Sequence, residues 1–117
     1  MPDTGSLRED LREFAAHALI DPELITIMAA VLTAVHRDAD FAGQFRERFL
    51  GPKIRAMHGI YERARARGEL RDDIDIELLG PALPGIVLHR AFVLGDPPTR
   101  EQMLTLIDQV ILRAACP

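Results

Sequence analysis

The stretch Ile76–Leu94, IELLGPALPGIVLHRAFVL, constrains the chain most: twelve of its nineteen residues are apolar, four are Gly or Pro, and only Glu77, His89 and Arg90 are polar. A helix on the surface of a globular protein shows one apolar stripe and one polar face. Here apolar residues fall on every side of the helical wheel. Two prolines and two charges interrupt the stretch too often for a membrane span. Protein must therefore cover it on several sides, and a chain of 117 residues has limited material for that. A second chain is a natural source of the remaining cover.

Length and charge narrow the class. A chain of this size is one domain, residues 1–117, and buries an ordinary core without staples. The net charge of −4 argues against direct nucleic-acid binding, which needs a concentrated basic surface. Eight of the fourteen basic residues do lie between Arg46 and Arg71, and they read as a solvated helix face. Thirteen of the fourteen are arginine; the one lysine is Lys53. Cys116 has no partner for an internal disulfide, which fits a reducing compartment. Asp3, Glu9 and Asp10 occupy the region where a signal peptide would place its basic start and apolar core.

Helix signals divide the chain into five elements. Ser6 with Glu9 reads as a capping box before the stripe Leu7, Leu11, Phe14, Ala15, Ala18. Asp21-Pro22 opens a second helix, apolar nearly all round from Leu24 to Val35, which predicts a place in the middle of a bundle. From Asp38 to Gly68 runs a long third helix along Phe41, Phe45, Phe49, Ile54, Met57 and Tyr61. Gly51-Pro52 predicts a kink or break in it, because an interior proline costs about 3 kcal/mol. Gly68 ends that helix, Asp75 caps the central stretch, and Gly95 with Asp96-Pro97-Pro98 stops it. Thr99 with Gln102 makes a further capping box before Met103, Ile107 and Ile111. No segment alternates with period two, so the expectation is an all-α, five-helix bundle.

Several local patterns then add up: DTGSLREDL at 3–11, FRERFLGP at 45–52, RARGELRDDID at 65–75, Gly80-Pro81, and Gly95-Asp96-Pro97. In this order and spacing they resemble the C-terminal domain of tetracycline-repressor (TetR)-type bacterial transcriptional regulators, over nearly the whole chain. The resemblance implies an effector-sensing and dimerisation domain of a repressor, cytoplasmic and not an enzyme, that pairs as a homodimer through its last two helices. It also implies a small apolar or amphipathic ligand within the bundle. The helix-turn-helix domain that reads operator DNA in such regulators is expected to be absent from this chain. The residues before Ser6 are too few to hold it, so operator DNA is a partner only through that missing domain.

The candidate ligand-binding residues are Met28, Phe45, Phe49, Met57, Tyr61 and His89, an apolar set with two polar groups. Candidate dimer-interface residues are Leu83, Val87, Arg90 and Leu94 on the fourth helix and Leu104, Ile107 and Ile111 on the fifth. Two helices from each chain would form a four-helix interface, and obligate interfaces of this kind commonly exceed about 2,000 Å². No metal, cofactor or membrane partner is expected. None of the four histidines forms an HxxxH or ExxH pair, and there is neither a Gly-rich phosphate loop nor a nucleophile elbow. The residues alone also allow a helical module that recruits another protein without a small ligand; an internal cavity distinguishes the two.

Overall fold

The computed structural model describes residues 2–19 and 22–117, apart from the side chains of Pro22 and Leu24. The expected Asp21 cap and the Leu24 core position lie outside the described residues. The described residues form five helical rods: α1 (Leu7–Ala18), α2 (Pro22–Arg37), α3 (39–66), α4 (Ile76–Val93) and α5 (100–115). Among the described residues there is no strand. The fold is the five-helix, all-α architecture its sequence signals.

The caps explain most of the boundaries. Ser6 accepts the Glu9 N–H and Asp75 accepts the Glu77 N–H. Thr99 and Gln102 form a reciprocal capping box. At Ser6 the expected box is only half made: the Ser6 N–H turns to the Thr4 hydroxyl, and Glu9 pairs with Arg8 and Arg12. Gly68, at φ 80°, closes α3 in the left-handed conformation that favours glycine.

Of the kink or break expected at Gly51-Pro52, a break does not occur. Helix α3 passes through this point as a π-turn at Arg46–Leu50, where the Gly51 N–H reaches back to the Arg46 carbonyl. A π-turn shifts the hydrogen-bond register by one residue, and this lets the helix carry a proline that has no N–H to give. Two further π-turns, His89–Val93 in α4 and Ile107–Ile111 in α5, adjust the facing stretches of the last two helices.

One core joins four of the rods. Leu7, Leu11, Phe14 and Ala15 of α1 meet Met57, Ile60, Tyr61 and Ala64 of α3. Ile76, Leu83 and Val87 of α4 close it from one side, and Met103, Ile107, Ile111 and Ala115 of α5 from another. Helix α2 corrects the sequence expectation: none of its described residues is buried, and Ile27 is 56% exposed. Its all-round apolar character reflects a helix lying at the rim, with Ile25 and Met28 facing a cavity.

The 65–75 turn is built by its own side chains. Arg65 donates to the Ile74 carbonyl at 2.6 Å. Arg67 grips Glu69 at 2.7 Å, and Glu69 in turn accepts the Leu7 N–H at the start of α1. The Arg71 N–H reaches the Ala115 carbonyl at the end of α5 at 2.8 Å. Three arginines of the run read as a solvated face therefore tie helix ends together: Arg63 donates to the Pro2 carbonyl, and Arg65 and Arg67 hold the turn.

Candidate functional site: an apolar cavity beneath helix α2

A half-open cavity of about 540 Å³ lies between the C-terminal end of α1, α2, the middle of α3 and one side of α4. That volume falls in the range of small-molecule sites, roughly 300–1,000 Å³. Helix α4 makes the space by what it lacks. Gly80, Pro81, Pro84 and Gly85 face the cavity, and a side chain added at Gly85 would meet open space. Phe92 and Leu88 close the wall toward the end of α4.

Helix α3 supplies the opposite wall from Phe49, Lys53 and Met57, which continue an i, i+4 row begun outside the cavity. Phe41, Phe45 and Phe49 stack in sequence, with ring centroids 6.2 and 5.1 Å apart. Lys53 continues the row, its Nζ 4.6 Å from the centre of the Phe49 ring, and Met57 follows. A cation over an aromatic face at this distance is attracted by the ring quadrupole. Burial against this wall pulls the Lys53 ammonium below the usual lysine range.

Of the six ligand-site residues expected, Met28, Phe49 and Met57 line the cavity and three do not. Phe45 stands beside it, stacked on Phe49. Tyr61 is fully buried in the core, and its hydroxyl has no hydrogen-bond partner among the described residues. Burial pushes that phenol up, so it stays neutral. His89 is exposed on another side of α4. Its apolar sequence neighbours face the core or the cavity, and a helical residue between those sides points away from both.

The polar groups that do line the cavity are Lys53, His58 and Glu77. Lys53 was legible as the one charge inside the Phe49–Met57 row, and His58 follows Met57 directly. His58 Nε2 lies 3.3 Å from Glu62 Oε1, while Glu77 is exposed at the first turn of α4. Among the described residues no group of three or more His, Cys, Asp or Glu side chains is placed to hold a metal ion. Cys116 is an unpromising nucleophile, because burial and Glu69 push its thiol up.

The expected interface residues also divide. Leu83, Val87, Ile107 and Ile111 are buried in the core of a single chain and have no surface to offer a partner. Inward-facing positions on amphipathic helices carry the largest apolar side chains, and so they mimic interface positions in sequence. Arg90 is tied to Asp96 at 3.0 Å, Leu104 is half-buried, and Leu94 is exposed. On the outer sides of these two helices the exposed apolar side chains are Leu78 (77%), Val93 (71%), Val110 (46%) and, of the expected set, Leu94 (57%). Half-buried Ala82 and Ile86 connect Leu78 to Val93 along α4, and Leu106, Val110 and Ala114 form a matching row on α5. By length and a mean hydropathy of 1.3, Ile76–Val93 could cross a membrane, yet its Leu83–Val87 side is packed in the core.

A five-helix, all-α bundle capped and turned in this way is the architecture of a transcriptional regulator's C-terminal domain. The chain belongs to the family described as Tetracyclin repressor-like, C-terminal domain, whose model matches residues 1–110. It is 29% identical over 119 residues to an uncharacterized HTH-type transcriptional regulator of Mycobacterium tuberculosis, covering 95% of this chain and 55% of that protein. It is also 29% identical over 98 residues to the uncharacterized HTH-type transcriptional regulator YdeS of Bacillus subtilis, covering 82% of this chain and 50% of YdeS. The chain thus spans about half the length of the curated relatives it matches.

Proposed function

We propose that this chain is the effector-sensing and dimerising part of a TetR-like repressor that works in the cytoplasm. A small amphipathic molecule enters the cavity beneath α2. Two copies pair through the outer faces of α4 and α5 into a four-helix interface. Operator binding belongs to a helix-turn-helix domain of the kind the relatives' names describe. Helix α4 links the two events, since one of its sides walls the cavity and another carries Leu78 and Val93. A ligand that shifts α4 would shift the partner chain with it, and so the spacing of two DNA-reading heads.

The observation that carries this reading is the cavity of about 540 Å³. Its volume and its walls on four helices are those of a small-molecule site, which favours a small ligand over a recruited protein. The test joins the chain to the helix-turn-helix half of a relative and titrates operator DNA against a panel of amphipathic compounds. Allosteric coupling is typically about 1–3 kcal/mol, so an effector should change operator affinity by about 5- to 150-fold. Filling the cavity with Met57→Trp should abolish the response. A panel that leaves operator affinity unchanged throughout would count against the sensor reading.

A further inference from the structure

Lys53 stands apart from the other charged groups around the cavity. It is the only lysine in the chain, and it is half-buried between Phe49 and Met57 in a largely apolar wall. Among the described residues its ammonium forms no ion pair; the partner it does have is the face of Phe49. His58 is held by Glu62, and Glu77 keeps its carboxylate in water at the cavity's rim. A cation drawn partly out of water with only a π-face to compensate it lacks a counter-charge. The usual counter-charge for such a lysine is a carboxylate, and the one described carboxylate that lines the cavity, Glu77, forms no ion pair with it.

We infer that the cavity takes an amphipathic monocarboxylate, with its apolar body between Met28, Met57 and Phe92 and its carboxylate on Lys53 Nζ. This rests on the cavity being the effector site. Phe49 and Met57 flank Lys53 in the cavity wall, so the head group sits partway along an apolar surface. A flat or extended apolar body satisfies that wall, and a compact polar acid does not. Lowering of the Lys53 pKa by burial fits a site that gains from an incoming anion. A charge-assisted hydrogen bond at a half-buried group accounts for about a tenfold preference over an uncharged head.

The test is calorimetric titration of the whole chain with dodecanoate, dodecan-1-ol and dodecylamine, each below its micellar concentration. Dodecanoate should bind about tenfold more tightly than dodecan-1-ol. Lys53→Met should bring the two to the same affinity, and Lys53→Arg should keep the preference. Equal binding of acid and alcohol by the unaltered chain would overturn the carboxylate assignment and leave the cavity as effector site. Tightest binding of dodecylamine, lost in Glu77→Gln, would overturn it in favour of a cationic ligand. Binding of none of the three would remove both the carboxylate assignment and the effector-site reading beneath it.

Discussion

Thr4 holds Asp10 by two hydrogen bonds to a single oxygen: its backbone N–H and its hydroxyl donate to Oδ1 at 2.6 and 2.7 Å. Asp10 is fully buried, and its other oxygen lies 3.8 Å from the Arg67 guanidinium at the end of α3. The segment before α1 is thereby fixed to the turn that ends α3. A buried carboxylate with these partners is costly to remove, because its donors are then left unpaired. Asp10→Ala should cost about 3 kcal/mol in urea unfolding, a large part of the 5–15 kcal/mol typical of a domain. A loss below about 1 kcal/mol would show that the lead-in is not held this way.

Tyr61 presents the opposite case. Its ring fills the core, but its hydroxyl finds no partner among the described residues. Burying an unpaired hydroxyl is unfavourable, so Tyr61→Phe should leave stability unchanged or raise it by about 1 kcal/mol. Thermal unfolding checks this. A clear loss of stability would reveal a hydrogen bond that the geometry does not contain.

The α4–α5 face and the core beneath it should respond differently to charge. Val110 is exposed and Ile111, its neighbour, is buried. Val110→Glu should weaken dimerisation at least about tenfold and leave unfolding of the monomer within about 0.5 kcal/mol. Ile111→Arg should unfold the chain, because its charge enters a dry core. Sizing and circular dichroism on the two variants separate the roles. A Val110→Glu protein that dimerises as the parent does would place the interface elsewhere.

Arg8 and Asp108 join α1 to α5 through two parallel bonds of 2.7 and 3.0 Å. The Arg8 guanidinium holds the Asp108 carboxyl below the usual carboxylate range. A group whose pKa is depressed by folding stabilises the folded state above its unfolded pKa, near pH 4 for aspartate. That contribution is lost as pH falls through the lower folded value. Asp108→Asn should therefore flatten part of the acid limb of stability against pH and lower the neutral-to-alkaline limb by a constant amount, with its slope unchanged. Both residues are exposed, so the effect should also shrink at high salt. Identical acid limbs for the variant and its parent would contradict this.

Much of the fold was legible because caps and turns are local. Asp75, Thr99 and Gly68 each do at their own position what their residue type suggests. What escaped the sequence depended on who covers whom. Helix α2 reads as a core helix because it is apolar all round, yet it lies at the cavity rim, where apolar residues serve a void rather than neighbours. Burial of Leu83, Val87, Ile107 and Ile111 and exposure of Val93 and Val110 differ by one helical step, and composition does not fix that step when both sides are apolar. Asp10 was invisible as a buried charge because its partners, Thr4 and Arg67, lie outside the helix it belongs to. Lys53 is hidden in the sequence because it belongs to the basic run Arg46–Arg71, whose charges read together as a solvated helix face.

In the proposed mechanism the domain works as a pair, since a single copy gives a ligand no spacing of DNA-reading heads to change. Light scattering behind a sizing column at micromolar concentration reads this from the mass in solution. A mass of twice the 13.0 kDa of one chain is expected, falling to that of one chain in Val110→Glu. A well-folded monomer of the unaltered chain at that concentration would contradict it.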